Sequence, residues 1–157
     1  MTNRTNSQEI PAHPGWIDTH AHLDMGDFKE DRGEVLDRAW EQGLAAIITI
    51  GIDLESSRQA LGLAGANPHI WAAVGLHPHE ASAADEPALA ELRVLARKPK
   101  VVAVGEIGLD FFRNYSPREH QKDCFRRCLQ LAREVSLPIV IHDREAHEET
   151  LRILAEE

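Results

Sequence analysis

Apolar residues along the chain fall into five short runs, separated by longer segments in which they recur with a helical period. Each run is nearly all apolar instead of alternating with polar residues, which is typical of parallel strands buried on both faces. The runs predict strands at 16–18, 44–50, 70–74, 100–104 and 137–141. They recur roughly every 30 residues, the size of a strand–helix–strand unit.

The segments between the runs predict helices at 29–43, 53–66, 87–95, 116–136 and 145–156. Gly43 is well placed to end the first helix, because glycine commonly follows the last helical turn. Ser116 and Glu119 have the spacing of a capping box at the start of the fourth. The last helix carries Leu151 and Leu154. Alternating strands and helices predict an α/β fold with a parallel sheet.

Two architectures have this order of elements. A (β/α)8 barrel of the TIM type needs roughly 250 residues, so a chain of 157 residues holds only about the first five units. A smaller doubly wound sheet is the alternative, but its phosphate loop is Gly-rich, and His-Ala-His follows the first strand here. We therefore predict an incomplete barrel at 16–157, preceded by a flexible leader at 1–15.

Composition narrows the class of protein. Hydrophobic residues make up 43% and charged residues 27% of the chain, as in a globular protein. The apolar run at 44–52 is far shorter than the ~20 residues of a membrane span, so we expect no contact with a membrane. Cys124 and Cys128 are predicted to be reduced thiols in the core, which favours the cytoplasm.

The formal net charge of −9 bears on possible partners. It argues against a protein that coats nucleic acid by neutralising phosphates, because such binding needs clustered Lys and Arg. It does not exclude an enzyme that holds phosphates through metal ions, since the ions then supply the positive charge.

Ionisable residues follow four of the five predicted strands. They are His20 and His22, His77 and His79, Glu106 and Asp110, and His142, Asp143 and Arg144. In a barrel, these positions share the C-terminal rim, where active sites are built. One such histidine would more often be structural, but their recurrence predicts a site.

Glu106 is the sharpest single case, because it follows the apolar run VVAVG. A carboxylate there is costly unless it is paired or bound to metal. One interpretation is a buried ion pair with Arg113 or Arg144. The other is a metal site, because histidine nitrogens with a carboxylate suit Zn, Mn or Mg. A glutamate between two such groups could bridge two ions ~3.5–4 Å apart.

The stretches WIDTHAHLD, VGLHPHE, VGEIGLDFF and LPIVIHDREA, in this order and spacing, resemble the TatD-type metal-dependent hydrolases. The resemblance implies a (β/α)8 barrel of the amidohydrolase-like superfamily. It also implies two divalent metal ions (Mg, Mn or Zn) and hydrolysis of phosphoester bonds in DNA or RNA.

The resemblance further assigns residues to roles. It implies that His20 and His22 hold one metal, that His142 holds the second, and that Glu106 bridges them as the catalytic carboxylate. It places His77, Asp110 and Arg144 near the substrate. It also implies a His after a sixth strand and an Asp near the seventh or eighth. The sequence ends at Glu157, before either, so we expect a fragment of a longer protein or a shortened member.

Two other functions stay open. An amidohydrolase acting on C–N or aminoacyl ester bonds is one, although many of these bridge their metals with a modified lysine. Lys98 and Lys100 precede the fourth strand, at the end opposite to Glu106. The other is a catalytically inactive or partner-dependent remnant that binds metal. We expect a monomer for the full-length protein.

Overall fold

The computed structural model describes residues 15–157, in which five parallel strands alternate with five α-helices. The strands are β1 Trp16–Ala21, β2 Leu44–Ile50, β3 Ile70–Val74, β4 Val101–Asp110 and β5 Ile139–Arg144. The helices are α1 Arg32–Glu41, α2 Leu54–Ala66, α3 Glu86–Ala96, α4 Arg118–Val135 and α5 His147–Glu156. Two 3₁₀ turns, Gly26–Phe28 and Pro78–Ala83, add to them. The predicted leader lies outside the described residues except for Gly15.

The strands are hydrogen-bonded in the order β1-β2-β3-β4-β5 and form a curled half-barrel. This order confirms the predicted run of barrel units. It excludes the flavodoxin-like alternative, in which the second strand would lie outside the first. Because all five strands are parallel, their C-terminal ends meet along one rim of the sheet.

The helices cover one face of the sheet and build the larger core. Its buried members include Ile47, Leu92, Ile107 and Phe125. The other face carries a smaller cluster formed by Ile50, Ala73 and Ala103. Ile47 and Ile50 belong to different clusters because successive residues of a strand point to opposite faces. Apolar residues on both faces explain why the strands have nearly continuous apolar sequences.

The predictions from composition concern the thiols and membrane contact. Cys124 and Cys128 are buried and free, with their sulfur atoms 4.0 Å apart, so the prediction of reduced core thiols is confirmed. Between residues 15 and 157, no helix has the length and apolar character needed to cross a membrane.

Most predicted element bounds agree with the structure to within three residues. β1 and β5 each end three residues later than predicted, so His20 and His142 lie within strands, and β4 ends six residues beyond its apolar run. It continues to Asp110 because its second half pairs with β5, from Ile107 opposite Ile141 to Asp110 opposite Arg144. Glu106 therefore lies within the strand instead of after it. This pairing brings the polar ends of the two strands together.

The predicted capping box at the start of α4 is wrong. The Ser116 hydroxyl donates to the carbonyl of His79 and accepts from the backbone N–H of Ser82, so it holds the 3₁₀ turn Pro78–Ala83 instead of capping the helix. The apolar face of α5 also differs from expectation. Leu151 is exposed, and Thr150 and Ile153 are the buried residues of that helix.

Gly108 fits closely between β4 and β5. Its φ angle is 138°, a backbone conformation that favours glycine. A Cβ at this position would lie 2.1 Å from the carbonyl oxygen of His142, which is a backbone atom. The absence of a side chain at residue 108 thus allows β5 to carry His142 to its place in the rim.

We expect Gly108→Ala to lower the free energy of unfolding by at least about 1–3 kcal/mol, from the unfavourable backbone angle alone. Urea unfolding of the purified chain measures this change. Gly62→Ala is the matched control, because Gly62 lies exposed within α2 and a Cβ there meets nothing within 4 Å. The control should raise the stability by about 0.5–1 kcal/mol. Equal effects of both substitutions would contradict the close approach of the strands.

Candidate metal centre

The rim brings five histidines and two glutamates around a cleft of about 370 Å³. These residues are His20, His22, His77, His79, His142, Glu80 and Glu106. They come from four parts of the chain, at or after the ends of β1, β3 and β5 and within β4. Parallel strands place these positions side by side, as the sequence predicts.

Glu106 lies at the centre of the cluster and is only 7% exposed. Its Oε2 atom is 3.4 Å from His20 Nε2 and 3.7 Å from His22 Nε2. Its Oε1 atom is 2.9 Å from His142 Nδ1. Among residues 15–157, no arginine pairs with Glu106, so the interpretation as a buried ion pair with Arg113 or Arg144 is not supported. The two oxygens instead face two separate sets of histidine nitrogens.

The hydrogen bond of His22 fixes which of its nitrogens can bind a cation. Nδ1 is 2.9 Å from the carbonyl oxygen of Ile50, and a carbonyl only accepts, so Nδ1 carries the proton. In the neutral ring, the lone pair of Nε2 then points towards Glu106. Two electron-rich atoms repel each other unless a cation lies between them, so this geometry fits a metal ion.

His142 is oriented in the same way by a carboxylate. Its Nε2 atom is 3.2 Å from Oδ2 of Asp110, a residue that is fully buried. Burial alone would raise the pKa of Asp110. Hydrogen bonds from the backbone N–H of Arg113 and from His79 and His142 outweigh it and lower that pKa to about 2. An ionised Asp110 accepts from Nε2–H, which leaves Nδ1 of His142 to face Glu106.

Glu106 and His142 stabilise each other's charged forms. In the charged form of His142, Nδ1–H donates to Glu106, and this hydrogen bond raises the pKa of His142 against the opposing effect of burial. A metal ion at Nδ1 would take the place of that proton. Burial would raise the pKa of Glu106, but the hydrogen bond from His142 and the charges of neighbouring histidines lower it below its ordinary value. Glu106 is thus a carboxylate that needs positive charge beside it.

His77 differs from the other histidines because its hydrogen bond selects the opposite tautomer. The backbone N–H of His79 donates to Nδ1 of His77 over 3.2 Å, so Nε2 carries the proton in the neutral ring. Burial, followed by the charge of His142, lowers the pKa of His77 to about 4. Nε2, 3.1 Å from His142 Nδ1, therefore presents an N–H to the cleft instead of a lone pair.

Two groups of side chains in the described part of the chain could hold a metal ion. One is His20, His22 and Glu106, and the other is His77, Glu106 and His142. Within each group, one ligand atom per residue lies within 4.8 Å of the others. Nitrogen and carboxylate oxygen together suit Zn, Mn or Mg. The hydrogen bonds of His22 and His142 favour these two as ligands beside Glu106 and leave His77 as a donor. His20 is favoured by distance alone, since its Nε2 atom lies 3.4 Å from Oε2 of Glu106.

His79 lines the cleft, whereas Arg144 does not and lies two residues beyond His142 in β5. The Arg144 guanidinium lies 4.1 Å from the centre of the Phe112 ring and is exposed. His79 is a residue that the sequence predictions did not assign, yet its Nε2 atom is 2.8 Å from Oδ2 of Asp110. The repeated His-x-His spacing, at 20–22 and again at 77–79, is the pattern that could have identified it.

Comparison with known proteins gives one family. The model of the family "TatD related DNase" matches residues 17–157. A Bacillus subtilis protein described as an uncharacterized metal-dependent hydrolase, YabD, is 41% identical over 90% of the chain and 55% of its own length. An Erwinia tasmaniensis protein described as the 3'-5' ssDNA/RNA exonuclease TatD is 44% identical over 88% of the chain and 54% of its own length.

Comparison with solved structures agrees with this family. The crystal structure of YJJV, a TatD homologue from Escherichia coli K12, superposes with a TM-score of 0.84 and 35% identity. The match covers 90% of this chain and 55% of that protein. The present chain thus spans about half the length of the relatives that it matches, and its five strands correspond to part of a TIM barrel.

We expect Zn²⁺ or Mn²⁺ to stabilise the chain, because an ion at this site binds the folded form selectively. An ion at a hundred times its dissociation constant adds about 2.7 kcal/mol. Urea unfolding with and without the ion measures the gain, and elemental analysis after dialysis measures bound metal. Glu106→Gln should abolish both effects. Glu41→Gln, which makes the same charge change at an exposed position, should preserve them. Retained metal in Glu106→Gln would refute the central role of Glu106.

Proposed function

Because this chain belongs to the TatD-related DNase family, we propose that its rim binds divalent metal and hydrolyses phosphoester bonds in single-stranded DNA or RNA. The observation that carries this proposal is the placement of Glu106, whose two oxygens face different histidine sets. A carboxylate so placed suits two ions that share one phosphate. The relatives described as exonucleases support nucleic acid as the substrate.

In this proposal, His20 and His22 hold one ion, His142 holds the other, and Glu106 bridges the two. The donor set suits Mg²⁺, Mn²⁺ and Zn²⁺. Bound ions supply positive charge to a scissile phosphate and lower the pKa of a bound water. The protein contributes the orientation of each ligand. The Ile50 carbonyl fixes the ring of His22, and Asp110 fixes the ring of His142.

Three residues that the sequence places near the substrate receive separate roles. Asp110 is fully buried beneath His142, so we propose it as a positioning residue rather than a substrate contact. His77 presents Nε2–H to the cleft and is suited to donate to a phosphate oxygen. Arg144 is exposed beside the cleft, where a guanidinium binds phosphate through paired hydrogen bonds.

The alternative of C–N bond hydrolysis with a bridging lysine has less support. The Lys100 ammonium donates to the carbonyl oxygens of Asn67, Pro68 and Ile70, before and at the start of β3. It therefore lies at the end of the sheet opposite the rim. The bridging position carries Glu106 instead, and this favours phosphoester hydrolysis.

Incubation of the chain with a 5′-labelled single-stranded oligonucleotide tests the proposed activity. With Mg²⁺ or Mn²⁺ present, we expect shortening from the 3′ end, and EDTA should stop it. Glu106→Gln should lower the rate at least about 100-fold, as the loss of one charge-stabilising group does in other enzymes. Glu41→Gln should retain the rate. Cleavage that persists in EDTA, or no cleavage with any of the ions, would contradict the proposal.

The positioning role of Asp110 makes a separate prediction for metal affinity. Asp110→Asn should weaken metal binding about 10- to 100-fold, the usual effect of losing the carboxylate behind a histidine ligand. Isothermal titration of the metal-free protein measures the affinity. Asp123→Asn, at an exposed position in α4, is the control and should not change it. Unchanged affinity in Asp110→Asn would remove Asp110 from the site.

A further inference from the structure

Two large aromatic side chains lie exposed on the loop that follows β4. Phe112 is 51% exposed and Tyr115 is 65% exposed. Exposed apolar side chains are common singly, and this chain has others. These two differ from the rest because they stand together beside the candidate metal centre and share their arginine neighbour.

Arginine side chains contact both rings. The guanidinium carbon of Arg144 lies 4.1 Å from the centre of the Phe112 ring. That of Arg113 lies 6.0 Å from Phe112 and 5.8 Å from Tyr115, and Arg113 also donates to the Tyr115 hydroxyl over 3.0 Å. We call Phe112, Arg113, Tyr115 and Arg144 the aromatic–arginine platform.

No acidic side chain pairs directly with the two arginines of the platform in the described part of the chain, although Asp143 and Glu145 flank Arg144 in the sequence. Between residues 15 and 157, neither Arg113 nor Arg144 forms an ion pair, whereas arginines elsewhere, such as Arg58 and Arg152, pair with glutamates. In a chain with a net charge of −9, this concentration of unpaired positive charge is a local exception. Guanidinium groups of this kind bind phosphates and also stack on planar rings.

The platform is continuous with the metal centre through a short series of contacts. The Tyr115 ring lies 4.6 Å from the ring of His79. His79 in turn binds Asp110, the carboxylate that orients His142. Along the strands, Arg144 follows His142 by two residues and Phe112 follows Asp110 by two. A ligand on the platform is therefore a neighbour of any phosphate held at Glu106.

We propose that the aromatic–arginine platform binds a nucleotide of a single nucleic-acid strand, with the base stacked on Phe112 and the adjacent phosphates held by Arg113 and Arg144. The proposal rests on the function proposed above and deepens it. A single strand is required because the bases of a duplex already stack on each other, while splayed bases stack on aromatic side chains. Stacking accepts any base, so the platform favours single strands over duplexes without reading sequence.

Binding of a fluorescein-labelled single-stranded oligonucleotide with a phosphorothioate backbone, measured by anisotropy, tests the platform without relying on catalysis. Phe112→Leu keeps an apolar side chain but removes the ring. We expect it to weaken binding about 5- to 150-fold, the range for loss of one stacked base. Phe112→Tyr should restore binding. An abasic strand of the same length should bind weakly to the wild-type protein and be insensitive to Phe112→Leu.

Trp71→Leu is the matched control, since Trp71 is also an exposed aromatic residue beneath a cation, Lys100, at the other end of the sheet. It should leave oligonucleotide binding unchanged. The platform is refuted if the wild-type protein binds neither the normal nor the abasic strand. It is also refuted if the wild-type protein binds both strands equally and the Phe112→Leu variant binds the normal strand as tightly as the wild-type protein does. Either result would refute only the platform, because metal content and metal-dependent cleavage of a base-free phosphodiester would be unaffected. Loss of those two properties with platform binding intact would instead refute the proposed hydrolysis.

Discussion

A buried carboxylate in the middle of a buried strand is the constraint on which this rim depends. Glu106 is nearly inaccessible, and an ionised group in such a place costs several kcal/mol unless positive charge or hydrogen-bond donors compensate it. The compensation comes from β1 and β5, which carry His20 and His142 to its two oxygens. The register of the sheet must therefore bring His20 and His142 level with Glu106. The parallel order of the sheet and the close β4–β5 contact at Gly108 meet that requirement.

The same constraint explains why so many polar atoms around Glu106 have fixed partners. A histidine placed beside a carboxylate is useful only when the correct nitrogen faces it. The Ile50 carbonyl settles this for His22, and Asp110 settles it for His142. The backbone N–H of His79 imposes the opposite tautomer on His77. The proposed ligands His22 and His142 thus differ from the donor His77 in their hydrogen bonds, although all three are histidines.

Sequence reasoning reached the fold because burial on both sheet faces leaves a strong apolar pattern. The bounds of β2 and β3 follow directly from it. It failed where a single hydrogen bond decides, as at Ser116, whose hydroxyl binds the backbone of a distant turn instead of the adjacent helix. It also could not give the length of β4, because the ladder with β5 extends that strand beyond its apolar run.

The candidate site was found in sequence by position, since ionisable residues at strand ends converge on one rim. Their roles could not be found that way, because tautomer and burial are properties of the assembled structure. Asp110 is an example. The family resemblance places it near the substrate, but in the structure it lies beneath His142. The exposure of Phe112 and Tyr115 is equally invisible to hydrophobicity, which would place both rings in a core.

The histidines on the two sides of Glu106 are not held equally firmly by the surrounding structure. The side chain of His20 is 42% exposed and that of His142 is 21% exposed. Both histidines lie on edge strands of the described sheet, but only His142 rests on a buried carboxylate, which His79 holds as well. The Oε1 side is therefore the preorganised one. A ligand that is already oriented loses less conformational entropy on binding an ion. Asp110 and His142 are therefore the part of the site that is best oriented to bind one.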